Sequence, residues 1–279
     1  MRLFAINAGN FKLDGGAMFG VVPKSIWHKL NPADSNNLCT WATRCLLIEH
    51  EKHLVLIDTG LGDKQDESFF KHYYRDAPQT WDTLLKPFGF HSSDITDVVL
   101  THLHFDHVGA ALKKEGDSIL PTFKNARYWS NSRHWDWAVT PNPREKASFL
   151  KENLLPLQLS GQLSFIENNT SPFSWMDFVF VDGHTEQQML PLISTANGKL
   201  LYAADLLPSA GHIPMPYIMS YDIRPLLSMQ EKESIFNRAL AENWTVFLEH
   251  DVYNECVNLK MTEKGVRLNE AFLLKDLIG

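Results

Sequence analysis

The sequence predicts a mixed α/β protein. Short apolar, strand-like runs recur along the chain, and stretches of helical character lie between them. No Pro/Gly/Ser linker, fixed-period repeat or low-complexity tract divides the 279 residues, so a single domain over 1–279 is expected.

Taken in order, residues 43–49 and 53–58 flank a polar turn and read as a hairpin. Residues 97–101 read as a short buried strand. Further strands are expected at 177–181, 189–194, 199–204 and 244–249. Helices are expected at 67–75, 80–88, 143–155 and 228–243. The last opens on Ser228 with Glu231 three residues on, the pattern of a capping box. Two segments, about 10–40 and 208–225, read as irregular. The second carries Pro208, Pro214, Pro216 and Pro225 among apolar and aromatic residues, a composition expected to pack rather than to be disordered.

Composition narrows the function. Apolar residues make up 44% and charged residues 21%, as in an ordinary globular protein. The 26 Lys and Arg against 33 Asp and Glu leave a net charge of −7, which argues against a nucleic-acid partner. No apolar run approaches the roughly 18 residues of a membrane span. The N-terminus turns polar too early for a signal peptide. Cys39, Cys45 and Cys256 form no CxxC pair, and a cytoplasmic location is expected.

The chemistry concentrates in Thr101-His102-Leu103-His104-Phe105-Asp106-His107, three histidines and an aspartate within six residues directly after a strand. Near a strand end, His102 and His104 point to one side. Asp106 and His107 follow where the chain turns at Gly109. Imidazole and carboxylate suit Zn, Mn or Fe(II), and four such ligands on one turn suffice to begin two metal sites.

This His-x-His-x-Asp-His order resembles the signature of the metallo-β-lactamase superfamily, and the resemblance extends over most of the chain. Asp58-Thr59-Gly60, Gly183-His184-Thr185, Ala204-Asp205-Leu206 and Glu249-His250-Asp251 each follow an expected strand, as the family pattern requires. The resemblance implies a four-layer αββα sandwich with two divalent metal ions, zinc in first place and Mn or Fe admitted by the same ligands. It assigns His102, His104 and His184 to one metal and Asp106, His107 and His250 to the other. Asp205 would bridge the two. Asp58 is expected to accept a hydrogen bond from a ligand histidine.

Two divalent metals imply hydrolysis by a bridging hydroxide, with Asp106 a candidate to relay the proton. Within the superfamily the chain is similar to the N-acyl homoserine lactonase and methyl parathion hydrolase branch. The likeness is carried by residues 13–23, Trp27, Asn36-Asn37, Arg44, and the stretches 205–214 and 220–222. Acyl-homoserine lactonases place a tyrosine three residues after the bridging aspartate, whereas Pro208 stands here. His212, Tyr217 and Tyr221 are the candidates to assist in its place. Phe11, Met18, Phe19, Trp27, Phe105, Met215 and Tyr217 are candidates to line an apolar pocket. The expected function is hydrolysis of a small-molecule lactone or ester. A phosphotriesterase-like or glyoxalase II-like thioester hydrolase is the alternative, and a catalytically silent metal-binding ligand sensor is the alternative of another class. The family also suggests a homodimer.

Overall fold

Fourteen β-strands are interleaved with short helices in the computed structural model, which describes residues 1–167 and 170–277. The chain forms two compact units. The first comprises residues 1–9 and 43–172; the second comprises residues 10–42 and the chain from Phe173 on. The mixed α/β expectation holds.

The first unit is built on a sheet of order β1-β2-β3-β4-β7-β8, with a small two-stranded sheet β5-β6. These strands are β1 (Arg2–Asp14) and β2 (Leu38–His50), which the first unit contains up to residue 9 and from residue 43, and β3 (His53–Ile57), β4 (Asp97–Val99), β5 (Leu112–Glu115), β6 (Ser118–Pro121), β7 (Arg127–Ser130) and β8 (Leu163–Phe165). β2 and β3 form the expected antiparallel hairpin, turning at Glu51 with φ 54°. β3, β4, β7 and β8 run parallel. Leu47, Leu56, Val98 and Leu100 pack with Leu103 and Trp135 in its core. In the parallel register Ile57 sits opposite Val99. The residues that follow these strands, Asp58 and Thr101, therefore leave the sheet side by side.

The second unit holds a sheet of order β14-β13-β12-β11-β10-β9. Its strands are β9 (Met176–Val181), β10 (Gln188–Thr195), β11 (Gly198–Tyr202), β12 (Thr245–Phe247), β13 (Cys256–Thr262) and β14 (Gly265–Phe272). All neighbours are antiparallel except β11 and β12, whose parallel register sets Tyr202 opposite Phe247. Three residues beyond each partner stand Asp205 and His250, so this one parallel pairing delivers both to one place.

Three helix expectations need correction. Residues 67–75 are helical only over Glu67–Phe70 and then turn. The 143–155 helix begins at Lys151 and ends at Leu159, because residues 142–149 spend their backbone elsewhere. Asn142 Oδ1 accepts from the backbone of Arg144 and Glu145, and Ser148 O accepts from Phe105 N at 3.0 Å. The long helix runs Pro225–Glu242, opening on a proline whose missing N–H costs nothing in the first turn. Ser228 is thus inside the helix, and its capping box with Glu231 does not form. Glu231 instead accepts from Asp182 N at 2.7 Å and Gly183 N at 3.0 Å.

The segment expected to be irregular over 10–40 contains the end of β1, two short helices and the start of β2. Residues 208–225 hold only the single turn Ala210–His212 before the long helix begins.

Candidate metal centre

In the first unit, Asp58 turns its carboxylate back over the end of β4 from a left-handed backbone, φ 56°, which aspartate tolerates better than most residues. It accepts from Thr101 N at 2.8 Å, from Thr101 Oγ1 at 2.6 Å and from His107 Nδ1 at 3.0 Å. The expected hydrogen bond from a ligand histidine to Asp58 is therefore present, and it leaves the His107 Nε2 lone pair for a ligand.

The tautomers of the next two histidines follow from their neighbours. Thr101 Oγ1 spends its proton on Asp58, so it accepts from His102 Nδ1 at 3.2 Å. His104 Nε2 lies 3.6 Å from the buried Glu145 carboxylate, which favours a proton on that nitrogen. The remaining nitrogens, His102 Nε2 and His104 Nδ1, stand 3.1 Å apart with lone pairs facing one another. Two facing lone pairs repel, and a cation between them removes the conflict. His107 Nε2 and Asp106 Oδ2, at 3.8 Å, form a second donor pair.

Backbone geometry keeps this segment in place. Leu103 is fully buried between the two histidines, and its N–H donates to His134 Nε2 at 2.9 Å. Gly109 cannot be another residue: a Cβ there would meet Leu61 O at 1.9 Å.

The second unit repeats the logic. His184 Nδ1 donates to Asp222 at 3.0 Å and His250 Nδ1 donates to Ala42 O at 2.7 Å. Both Nε2 lone pairs then face Asp205, His184 against Oδ2 at 3.2 Å and His250 against Oδ1 at 3.0 Å. A carboxylate with a different imidazole lone pair before each oxygen fits a ligand shared by two cations. Ala204, just before it, sits at φ 42°, a strained position for a residue with a Cβ. Gly183 lies against the start of the long helix, where a Cβ would meet Ser228 Oγ at 2.3 Å.

All seven expected metal ligands are buried and each offers a ligand atom. The three other candidates differ. His212 is fully buried and stacked on Phe19 at 4.4 Å. Its Nε2 donates to Met18 O at 2.9 Å and its Nδ1 accepts from Ser209 Oγ at 2.8 Å. Burial pushes its pKa down to about 3. Both ring nitrogens of His212, a candidate to assist catalysis, are thus hydrogen-bonded within the protein. Tyr217 is half-buried with its ring edge-on to Phe19, and Tyr221 is exposed. Phe11, Met18, Phe19 and Trp27 are buried in packing, with Phe19 and Trp27 stacked at 5.6 Å, and do not line an open pocket. The buried Lys232 side chain donates to the carbonyls of His212, Pro214 and Tyr217 at 2.9, 3.1 and 3.2 Å.

The roles of Glu145, His134, Asp222 and Glu231 are not read from the sequence, where Glu231 is expected only as a capping partner of Ser228. Asp222 lies in a stretch that carries the family likeness, but nothing adjacent to Glu145 or His134 marks them.

The sequence model of the metallo-beta-lactamase superfamily matches residues 40–250. An N-acyl homoserine lactonase of Bacillus thuringiensis is 24% identical over 275 residues, 91% of this chain and 94% of that protein. The crystal structure of a probable metal-dependent hydrolase from Staphylococcus aureus superposes with a TM-score of 0.87 at 26% identity, covering 98% of each chain. A dizinc quorum-quenching lactonase solved with its product superposes with a TM-score of 0.81 at 22% identity, covering 97% of this chain and 95% of that one.

Proposed function

The chain belongs to the metallo-beta-lactamase superfamily, and from that premise we propose that it is a dinuclear metal-dependent hydrolase acting on a neutral lactone or ester. The observation that carries the reading is Asp205, whose two oxygens each meet a different histidine lone pair. In this reading His102, His104 and His184 would hold one divalent cation, Asp106, His107 and His250 would hold the other, and Asp205 would be a ligand to both. Zinc suits the mixed nitrogen and oxygen donors, which also accept Mn or Fe. When bound, such a pair acidifies water to supply a nucleophile and polarises the scissile carbonyl.

The protein's own groups set the stage. Asp58, Glu145 and Asp222 choose the tautomers of His107, His104 and His184, so each ring presents a lone pair without rearranging. Asp106 would serve as a ligand and relay the proton given up by the attacking oxygen to the departing oxygen, which needs it to leave as an alcohol. The match to residues 40–250 draws on both compact units, which supports a single functional domain over 1–279. The three buried free thiols suit a reducing, cytoplasmic setting. No helix among the described residues is long and apolar enough to cross a membrane. A homodimer, drawn from the family likeness, belongs to the same proposal and is checked by light scattering.

The test is elemental analysis of protein prepared without chelator, paired with a hydrolysis panel of lactones, aryl esters, thioesters, aryl phosphotriesters and β-lactams. Two metal equivalents and highest kcat/KM on a lactone or ester are expected. One equivalent or fewer, or a phosphotriester or thioester preferred by more than about a hundredfold, roughly 2.7 kcal/mol in transition-state stabilisation, overturns the reading.

A further inference from the structure

The second unit holds a cavity of about 360 Å³, within the size range of small-molecule sites. One wall is the stretch 29–31, just after the helix Lys24–Trp27. A second is 210–214, and the third joins the turn after His250 to β14. None of the seven candidate metal ligands is among its lining residues.

Asp251 holds two of these walls together. Its Oδ1 accepts from Tyr253 N at 2.9 Å and Asn254 N at 2.8 Å, and its Oδ2 accepts from Ala210 N at 2.9 Å. It is the one acid among the lining residues, and its charge is spent on backbone N–H groups. Two cations line the same cavity. Arg267 Nη1 donates to Val266 O at 2.6 Å, and among the described residues its guanidinium has no carboxylate partner. Among the same residues the Lys29 ammonium makes neither an ion pair nor a hydrogen bond.

Asn31 points to a ligand independently. It is only 5% exposed, yet its carboxamide makes no hydrogen bond among the described residues. A Cβ on Gly211, which also lines the cavity, would stand 2.8 Å from Asn31 Oδ1, so the carboxamide faces the space that the glycine leaves open. A polar group this withdrawn from water is costly to keep without a partner, and leucine would fill the same volume without that cost. Beside these groups Leu30, Tyr253 and Leu268 line the cavity with large side chains left exposed. Guanidinium and amide N–H groups match a carboxylate, and the apolar rim matches a hydrocarbon tail. A monoanion also suffers less from the nearby Asp251 charge than a dianion does.

We propose that this cavity is a binding site for a small monocarboxylate with an apolar tail. Arg267 and Asn31 donate to the carboxylate, Lys29 adds positive charge, and Leu30, Tyr253 and Leu268 cover the tail. A free fatty acid and the acid released by lactone or ester hydrolysis share this chemistry. The site does not rest on the hydrolase reading, because no metal ligand contributes to it.

The test is calorimetry on metal-loaded wild type, Arg267→Leu and Asn31→Leu. Octanoate is the probe, acetate and 1-octanol are the controls without tail and without charge, and N-hexanoyl-homoserine represents a hydrolysis product. Octanoate is expected to bind wild type more tightly than either control. Arg267→Leu is expected to weaken octanoate binding by about tenfold to a hundredfold, the scale of a lost charged donor, and Asn31→Leu by about fivefold, the scale of a neutral one. Metal content is expected to stay the same, and the Tm of Asn31→Leu is expected not to fall. If Arg267→Leu does not fold, Asn31→Leu decides alone. Octanoate affinity unchanged in the variants overturns the proposal, since the carboxylate then binds elsewhere, the metal centre included. No binding of octanoate to wild type, or acetate or octanol binding as tightly, also overturns it, as does a weakening that follows loss of metal. N-hexanoyl-homoserine binding more tightly than octanoate, with the same sensitivity to both variants, supports the site and assigns it to hydrolysis products. The reverse order supports it and assigns it to free fatty acids. No readout depends on turnover, so failure of the hydrolase reading leaves this test intact.

Discussion

The Asp222 carboxylate lies 3.0 Å from His184 Nδ1, across 38 residues of sequence, and decides which nitrogen of that ring carries the proton. Asp222→Ala removes the partner and frees the ring to take the other tautomer. Metal affinity is expected to fall about tenfold to a hundredfold. Asp222→Asn, whose amide oxygen still accepts from Nδ1, is expected to lose less. Chelator competition on the two variants and the wild type measures the order.

Asp205→Asn replaces a charged oxygen with an amide nitrogen, so one of the two histidine lone pairs loses its matching ligand atom. Metal content is expected to drop from two equivalents toward one, and turnover to fall by about a hundredfold or more, at least 2.7 kcal/mol. Elemental analysis beside steady-state kinetics checks both. Unchanged values would remove Asp205 from the bridging role.

Glu231 anchors the strand end that leads to His184 by accepting two backbone N–H groups. Glu231→Ala leaves both donors without their acceptor and is expected to cost about 2–4 kcal/mol of stability. Glu231→Gln retains one acceptor oxygen and is expected to recover about half. Denaturant unfolding of the two variants reads the difference.

His212 ties stability to acidity. Its folded pKa of about 3 lies far below the ordinary value near 6.5. The unfolded chain therefore binds a proton that the folded one refuses between those values. The contribution is intact above pH 6.5 and is lost as pH falls, by about 2 kcal/mol at pH 5. His212→Gln is expected to flatten this part of the stability–pH curve, measured by urea unfolding from pH 7 to 5.

The candidate ligands were legible because their spacing is local and their residue types are chemically narrow. His102, His104, Asp106 and His107 occupy one turn, and each distant ligand follows a short apolar strand. Asp58 aside, their supporters were not legible. Glu145 serves His104 from a stretch whose composition reads as helix, and the reason it is not helical lies in contacts to Asn142 and Phe105. Ser228 and Glu231 have capping-box spacing, but Pro225 starts the helix earlier and the carboxylate goes to Asp182 and Gly183. The β13–β14 hairpin is not legible in the sequence because several of its residues are exposed, so its apolar pattern is thin.

Lys232 grips the proline-rich segment solely through main-chain oxygens, much as a macrocyclic ether grips an ammonium ion. Such a grip does not depend on which side chains the segment displays. Met215, Tyr217 and Ile218 can thus be exchanged for residues of other size or polarity while the backbone path from His212 to Tyr217 is retained. The arrangement separates the segment's shape from its surface, so natural or laboratory selection can retune what that surface contacts without first redesigning the loop.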